Sequence, residues 1–187
     1  MRCEIIPPPN TADRLRRALW NLVWLIAFRP SPIPFHGWRR WLLRRFGARV
    51  GAGAHPYPSA RIWAPWNLDM GEGSCLGLGS ETYNVARVTL SSGAIVSQRA
   101  YLCTASHDVH NPGFALIAAP IVIGHNAWVA ASAFIGPGIK LGPGAIAAAS
   151  AVVTRDVAAD VIVGGNPARP IGEGSLSQFN RPGSKAP

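Results

Sequence analysis

Acidic residues are scarce in this chain: nine in 187, against eighteen lysines and arginines, for a formal net charge of +9 and a pI of about 10.7. The imbalance is local. Residues 1–50 hold ten arginines against Glu4 and Asp13, while the other 137 residues balance to +1. A near-neutral domain therefore carries a basic N-terminal segment, and with no recognised nucleic-acid-binding module present, nucleic acid is not an expected partner. Cysteine is equally sparse. Cys3, Cys75 and Cys103 are odd in number and lack framework spacing, which excludes a disulfide scaffold and suits a reducing compartment. A long apolar run is missing too: Ala18 to Phe28 spans eleven residues, interrupted by Asn21, where a bilayer needs roughly 20. Residues 1–10 are short, proline-rich and polar, with no sign of a cleavable signal, so a cytoplasmic location is expected.

What is present in the first fifty residues is tryptophan beside arginine. TADRLRRALWNLVWLIAFRP reads as a helix, with Thr11 as N-cap, Asp13 in the first turn and Pro30 ending it. RPSPIP is a stiff turn, and GWRRWLLRRFG is a second short segment with four arginines. Two readings stand for residues 11–49. Either the apolar faces pack on the domain or a neighbouring subunit, or the segment makes peripheral contact with the inner face of the cytoplasmic membrane.

From Val50 onward, self-similarity at six residues dominates. Hexads begin at Val50, Pro56 and Ile62, at Met70, Leu76 and Thr82, and at Leu90, Val96 and Leu102. After a fifteen-residue break they run through Ile123, Val129, Ile135, Leu141, Ala147 and Val153. Thirteen of the fifteen first positions are aliphatic, Met or Ala, with Pro56 and Thr82 the exceptions. The fifth position is Ala or Ser in twelve, failing at Trp66, Ile139 and Val157. Neither a 3.6-residue helix nor a two-residue strand period gives six. A triangular β-solenoid does. Each hexad forms one flat face and one corner, the first position pointing into the narrow interior and the fifth into a corner that admits only a small group. Three hexads close a coil, so five coils are expected, at 50–67, 70–87, 90–107, 123–140 and 141–158, in a prism roughly 24 Å tall. The expected organisation is a helical segment over 1–49, a solenoid over 50–170 with an excursion at 108–122, and a flexible tail over 171–187.

The repeat resembles that of the hexapeptide-repeat acyltransferases, whose fold is the left-handed parallel β-helix, an exception to right-handed crossover. PIVIGHNAWVAASAFIGPGIKLGPGAIAAASAVVTRDV and VGGNPARPIG are similar to the sugar O-acetyltransferase branch. RIWAPWNLDMG, YNV and VSQRAYLCTASHD, with the tryptophan-rich N-terminus, most resemble the colanic-acid biosynthesis acetyltransferases. The resemblance covers about residues 11–172. It implies an acetyl-CoA-dependent O-acetyltransferase acting on a sugar or exopolysaccharide precursor, a homotrimer with active sites between subunits, and no metal.

His107 ends the third coil and Asp108 opens the break, so the polar cluster TASHDVH sits where the repeat stops. Loops on a rigid scaffold are where chemistry concentrates. An alcohol needs a base, and a neutral imidazole is the usual one. By resemblance, His107 is the general base for direct transfer in a ternary complex, against the bland reading of a corner histidine serving loop carbonyls. Asp108 either orients the imidazole or binds acceptor hydroxyls, or merely caps a turn, and His110 reads as loop surface. By resemblance Asn84 contacts the acceptor, with Tyr83 and Gln98 lining the same cleft; the alternative for Asn84 is a corner residue relieving turn strain. Cys103, His107 and His110 superficially suggest metal ligands, but their spacing on a turning coil does not guarantee convergence.

For the donor, the resemblance places Trp128 beside pantetheine and gives backbone hydrogen bonds to Ala130 or Ala148. It sets Thr154 and Arg155 near the nucleotide and carries Arg169 to phosphate, where a cation is favoured. Trp128 as a packing aromatic, and Thr154 and Arg155 as solvated surface, are the alternatives. AAASAVV places alanines where such coils commonly carry glycine, which narrows the channel for the arm. Two other classes remain open: a catalytically inactive β-helix scaffold at the membrane surface, and a metal-dependent hydrolyase on the same fold.

Overall fold

The computed structural model describes residues 3–7 and 10–174. From residue 49 the chain winds into a three-faced β-solenoid of short parallel strands. The three interior columns are those the hexads predict. Val50, Met70, Leu90, Ile123 and Leu141 stack in register on the first face. Pro56, Leu76, Val96, Val129 and Ala147 stack on the second. Ile62, Thr82, Leu102, Ile135 and Val153 stack on the third. All fifteen are buried, and the corner alanines at 54, 60, 94, 100, 127, 133, 145 and 151 have no exposed surface. Burying a branched side chain contributes about 1.5–3 kcal/mol, so these columns are the main source of stability.

The exceptions to the repeat have physical reasons. Trp66 escapes its corner because Pro65–Asn67 form a 3-10 turn, and Arg16 lies 4.0 Å over its ring. Val157 is not a corner residue: it bridges Leu141 and takes the next place in the first column. A sixth coil thus begins after the five expected, and continues in Val161–Gly164 on the second face. Thr82 keeps a buried hydroxyl without a hydrogen-bond partner among the described residues. Arg169–Glu173 folds back antiparallel on Val161–Gly164, so regular structure runs past residue 170, where the tail was expected to start. The rest of that expected tail, from 175, lies outside the described residues.

The break in the repeat is a β-hairpin. Ala105–His107 pairs antiparallel with Leu116–Ala118, so the chain leaves the wall at residue 105 and not at 108, and Ile121–Ile123 rejoins the first face against Val88–Leu90. Glu4–Ile5 adds a third strand beside Leu116–Ala118, with Ile6 N–H donating to Leu116 O at 2.8 Å. The N-terminus therefore holds the hairpin in place.

Two helices cover the base of the prism: α1, Thr11–Val23, which continues as a π-helical turn over Trp24–Phe28, and α2, His36–Arg45. Asn10, not Thr11, caps α1, accepting from Asp13 N–H at 2.8 Å. Each coil donates backbone N–H groups to the carbonyls of the coil above, as Gly51 to Met70 and His55 to Ser74. The carbonyls of the first coil consequently have no coil below to pair with. Side chains of the helices serve them: Trp20 indole on Ile62 O, Trp24 indole on Ala60 O, Arg39 on Pro56 O, Arg40 on Ala54 O and Arg44 on Val50 O. Trp20, Trp24 and three arginines thus belong to the domain, as the packing reading of residues 11–49 requires. Other residues of the segment face solvent.

Arg39 is fully buried, bonded also to Ser31 Oγ and Pro32 O at 2.8 Å. Replacing it with Met leaves these acceptors unpaired, and a loss of about 3 kcal/mol in unfolding free energy is expected by denaturant titration. Beside it, His36 Nδ1 lies 3.1 Å from both Pro56 O and the Arg39 guanidinium. Burial foremost, and then the charges of Arg39, His55 and Arg40, push His36 below the ordinary imidazole value of 6.5, although the Pro56 carbonyl works the other way. The folded ring stays neutral where the unfolded one takes up a proton, so stability is full above pH 6.5 and declines as pH falls through the folded value. The melting temperature is expected to drop between pH 7.5 and pH 5.5, and to drop less in His36→Gln.

Candidate active site

His107 stands on the hairpin arm with its ring exposed and stacked on Phe114, centroids 4.3 Å apart and planes within 6°. Its Nδ1 lies 2.8 Å from Phe114 O. A carbonyl only accepts, so Nδ1 carries a proton, and in the neutral ring Nε2 is the nitrogen with the lone pair. Phe114 itself has φ of +47°, in the left-handed region that a bulky residue rarely adopts. That turn is what directs its carbonyl at the imidazole. Asp108 does not share this task. Its carboxylate accepts from His110 N–H at 3.0 Å, closing the turn, and among the described residues no bond joins it to the ring. His110 is exposed, as a loop-surface residue would be.

Next to the hairpin, between α1 and the solenoid, opens a cleft of about 440 Å³. Its walls include Trp63, Trp66, Tyr83, Asn67, Asp13 and Arg17, with Ile6 and Leu116 on the hairpin side. Leu116 is the register partner of His107, so the hairpin that carries the imidazole borders this cleft, although His107 itself is not one of its walls. Trp63 and Tyr83 meet edge to face at 5.1 Å, and Arg17 sits 5.2 Å over the Trp63 ring. Tyr83 is therefore one of the residues of the cleft wall. Asn84 is not: it is fully buried, its amide accepting from Ala64 N–H at 2.9 Å and donating to Ala64 O at 2.6 Å. Its amide is thus engaged on both ends within the wall. Gln98 lies exposed on the corner between second and third faces, apart from this cleft. Asp13, Arg17, Trp63 and Asn67 were not singled out from sequence. Their only signal was the polar start of α1 and the aromatic pair in RIWAPWN.

The residues expected at the donor fall in two places. Thr154, Arg155 and Arg169 line one cleft of about 290 Å³ at the C-terminal end of the prism, with Asp156 among them. Trp128 stands half-buried on the second face, its indole donating to Ser97 Oγ at 2.8 Å. Ala130 and Ala148 follow on the adjoining corner, but their N–H groups already donate to Ala147 O and Val163 O, so neither amide N–H is free for a ligand. The His107 hairpin springs from the corner between third and first faces, which in a triangular prism is the corner opposite the second face. Trp128 and His107 of one chain therefore look away from each other. Cys103 is buried with its thiol directed at Ala105 O, and the described residues contain no cluster of three His, Cys, Asp or Glu side chains able to hold a metal ion.

Asn84→Ala removes both bonds to Ala64 within the wall. A loss of about 2 kcal/mol in stability is expected by chemical denaturation, with the KM for acceptor unchanged in the folded fraction. A shifted KM at unaltered stability would return Asn84 to the cleft.

No family model matches the chain. It is 37% identical over 156 residues to the Escherichia coli K12 protein that carries the name colanic acid biosynthesis acetyltransferase WcaF, covering 83% of this chain and 86% of that one. It is 25% identical over 138 residues to the galactoside O-acetyltransferase of the same organism, covering 72% and 68%. Among solved structures, galactoside acetyltransferase in complex with coenzyme A superposes with a TM-score of 0.81 at 22% identity, over 91% of this chain and 86% of that one. A Clostridium difficile 630 maltose O-acetyltransferase gives 0.78 at 21% identity, over 88% and 89%. These structures share the left-handed β-helix that the family resemblance implied, and the likeness to the first relative carries more than fold. The chain belongs to the hexapeptide-repeat acetyltransferases, in the group of the colanic acid biosynthesis acetyltransferases.

Proposed function

We propose that the protein transfers an acetyl group from acetyl-CoA to a hydroxyl of a sugar or exopolysaccharide precursor, with His107 as general base. The observation that carries this reading is the contact of Nδ1 with Phe114 O, which makes Nε2 the basic nitrogen of the neutral ring, on a hairpin that borders an open cleft. An acceptor hydroxyl hydrogen-bonded to Nε2 gives up its proton as its oxygen attacks the thioester carbonyl. The tetrahedral intermediate collapses, the carbon–sulfur bond breaks, and the imidazolium returns the proton to the departing thiolate. One acetyl moves, one thiol is released, and the histidine is regenerated.

A sugar suits the cleft. Trp63, Trp66 and Tyr83 offer flat apolar faces for the C–H surface of a pyranose, while Asp13, Arg17 and the Oδ1 of Asn67, whose Nδ2 is bonded to Asn84 O and Val85 O, offer hydrogen-bonding groups for hydroxyls. The donor reading draws on the relatives, one of which was solved with coenzyme A and another, from Vibrio cholerae, with acetyl-CoA. Arg155 and Arg169 supply cations for its phosphates. The opposed positions of Trp128 and His107 support a site shared by two chains, with the base from one prism and the pantetheine wall from the next. A threefold ring of prisms satisfies that demand with each chain using both surfaces once.

Thiol release from acetyl-CoA over a panel of sugars, nucleotide sugars and lipid-linked glycans tests the reading. Acceptor-dependent release is expected, falling about 100- to 10,000-fold in His107→Ala. Release that survives that substitution removes His107 from the mechanism.

A further inference from the structure

α1 and its π-helical continuation are apolar on two sides. Trp20, Trp24 and Phe28 face the solenoid and are buried. On the opposite side Leu15, Leu19, Leu22 and Ile26 form a second stripe, spaced four, three and four residues apart, with Leu15 70% and Ile26 62% exposed. α2 extends the patch. Trp38 and Trp41 stack with centroids 5.1 Å apart, both more than two-fifths exposed, and Ile33 and Phe35 project from the connecting turn. The prism explains the inner stripe and leaves the outer one without a partner. Exposed patches of this kind on otherwise soluble domains mark interaction surfaces.

Charge decides what covers it. From residue 14 to residue 68 there is no acidic residue, while ten arginines occur. Three of these, Arg39, Arg40 and Arg44, are engaged on base carbonyls. Arg14, Arg29 and Arg45 remain exposed, Arg29 and Arg45 lying over the rings of Trp24 and Trp41. A second copy docking by the same patch would bring arginines against arginines, with Asp13, at the start of α1, the one carboxylate of residues 11–49. An anionic lipid surface answers them directly. Leucine and isoleucine at the acyl boundary, tryptophan at headgroup depth and arginine towards phosphate is the distribution an interfacial helix adopts. No helix among the described residues is long and apolar enough to cross a membrane, so the contact is with the surface.

We propose that the outer face of α1 and α2 docks the enzyme on an anionic membrane surface, through Leu15, Leu19, Leu22, Ile26, Trp38 and Trp41. The prism axis then stands away from the bilayer. The inference does not depend on the acceptor or on His107, and its test reads no activity.

Flotation of the full-length protein with vesicles of phosphatidylcholine, alone or with about 30 mol% phosphatidylglycerol, is the experiment. Binding to the anionic vesicles is expected at least about tenfold above the neutral ones, weakening in about 0.5 M salt. Combining Leu15→Gln, Leu19→Gln and Leu22→Gln is expected to reduce binding about tenfold or more with an unchanged melting temperature, since all three side chains are already exposed. Arg14→Gln with Arg45→Gln is expected to lower binding to anionic vesicles only, and supplies a second reading should the leucine variant unfold. The proposal is overturned if the wild type fails to float with anionic vesicles, or if both variants float like it. Light scattering that shows wild type as a larger assembly than the leucine variant would assign the stripe to a second copy instead.

Discussion

A β-solenoid is an open stack, and its first coil presents a row of carbonyls with no N–H groups beneath them. The whole N-terminal segment of this chain is organised around that deficit. Five carbonyls of the base, on Val50, Ala54, Pro56, Ala60 and Ile62, meet five donors drawn from three arginines and two tryptophans. These residue types are suited to the task. They are long enough to reach from a helix to a sheet edge, they donate without accepting, and their remaining surface is apolar or planar and packs. An uncapped edge of this kind also invites pairing with other chains, so the same contacts oppose aggregation. Once the helices are fixed by these bonds, their outer faces have a defined direction, away from the prism.

The capping segment also builds the site. Glu4–Ile5 completes a three-stranded sheet with the hairpin that carries His107, and the start of α1 supplies Asp13 and Arg17 to the neighbouring cleft. The imidazole is held not by a carboxylate but by a backbone carbonyl, which fixes the tautomer without adding charge at the base. The hairpin is wider than the break in the repeat suggests, because its pairing starts at Ala105 and moves the histidine off the wall.

Periodicity made the core columns, the corners and the coil register legible, since a fifteen-fold repeat of buried first positions has few geometric solutions. What stayed illegible has a common cause. Val157 reads as a failed corner because the final coil is shortened, and only pairing with Leu141 reveals it as a wall residue. Asn84 reads as a ligand or as a corner residue with equal ease, and only the folded chain shows its amide engaged on Ala64. The carbonyls that Trp20 and Arg39 serve have no side-chain signature at all, so composition suggested a membrane where part of the signal was edge capping. The cleft joins residues 13 and 67, and such long-range neighbours leave no local pattern.

The split of the Trp/Arg signal bears on how the protein is placed for its chemistry. If every tryptophan and arginine of the segment were needed to cap the base, the exposed stripe of Leu15, Leu19, Leu22 and Ile26 would be a solubility cost without return. The cap uses only the inward residues, so the outward leucines are free to vary to polar types without touching the fold. That they are apolar, beside exposed Arg14, Arg29 and Arg45 and in a stretch without an acidic residue between positions 14 and 68, is a property the prism does not demand. The cleft beside His107 opens between this same helix and the first coils. A face that rests on lipid therefore keeps the cleft close to the headgroups, since α1 itself and the first two coils are among its walls.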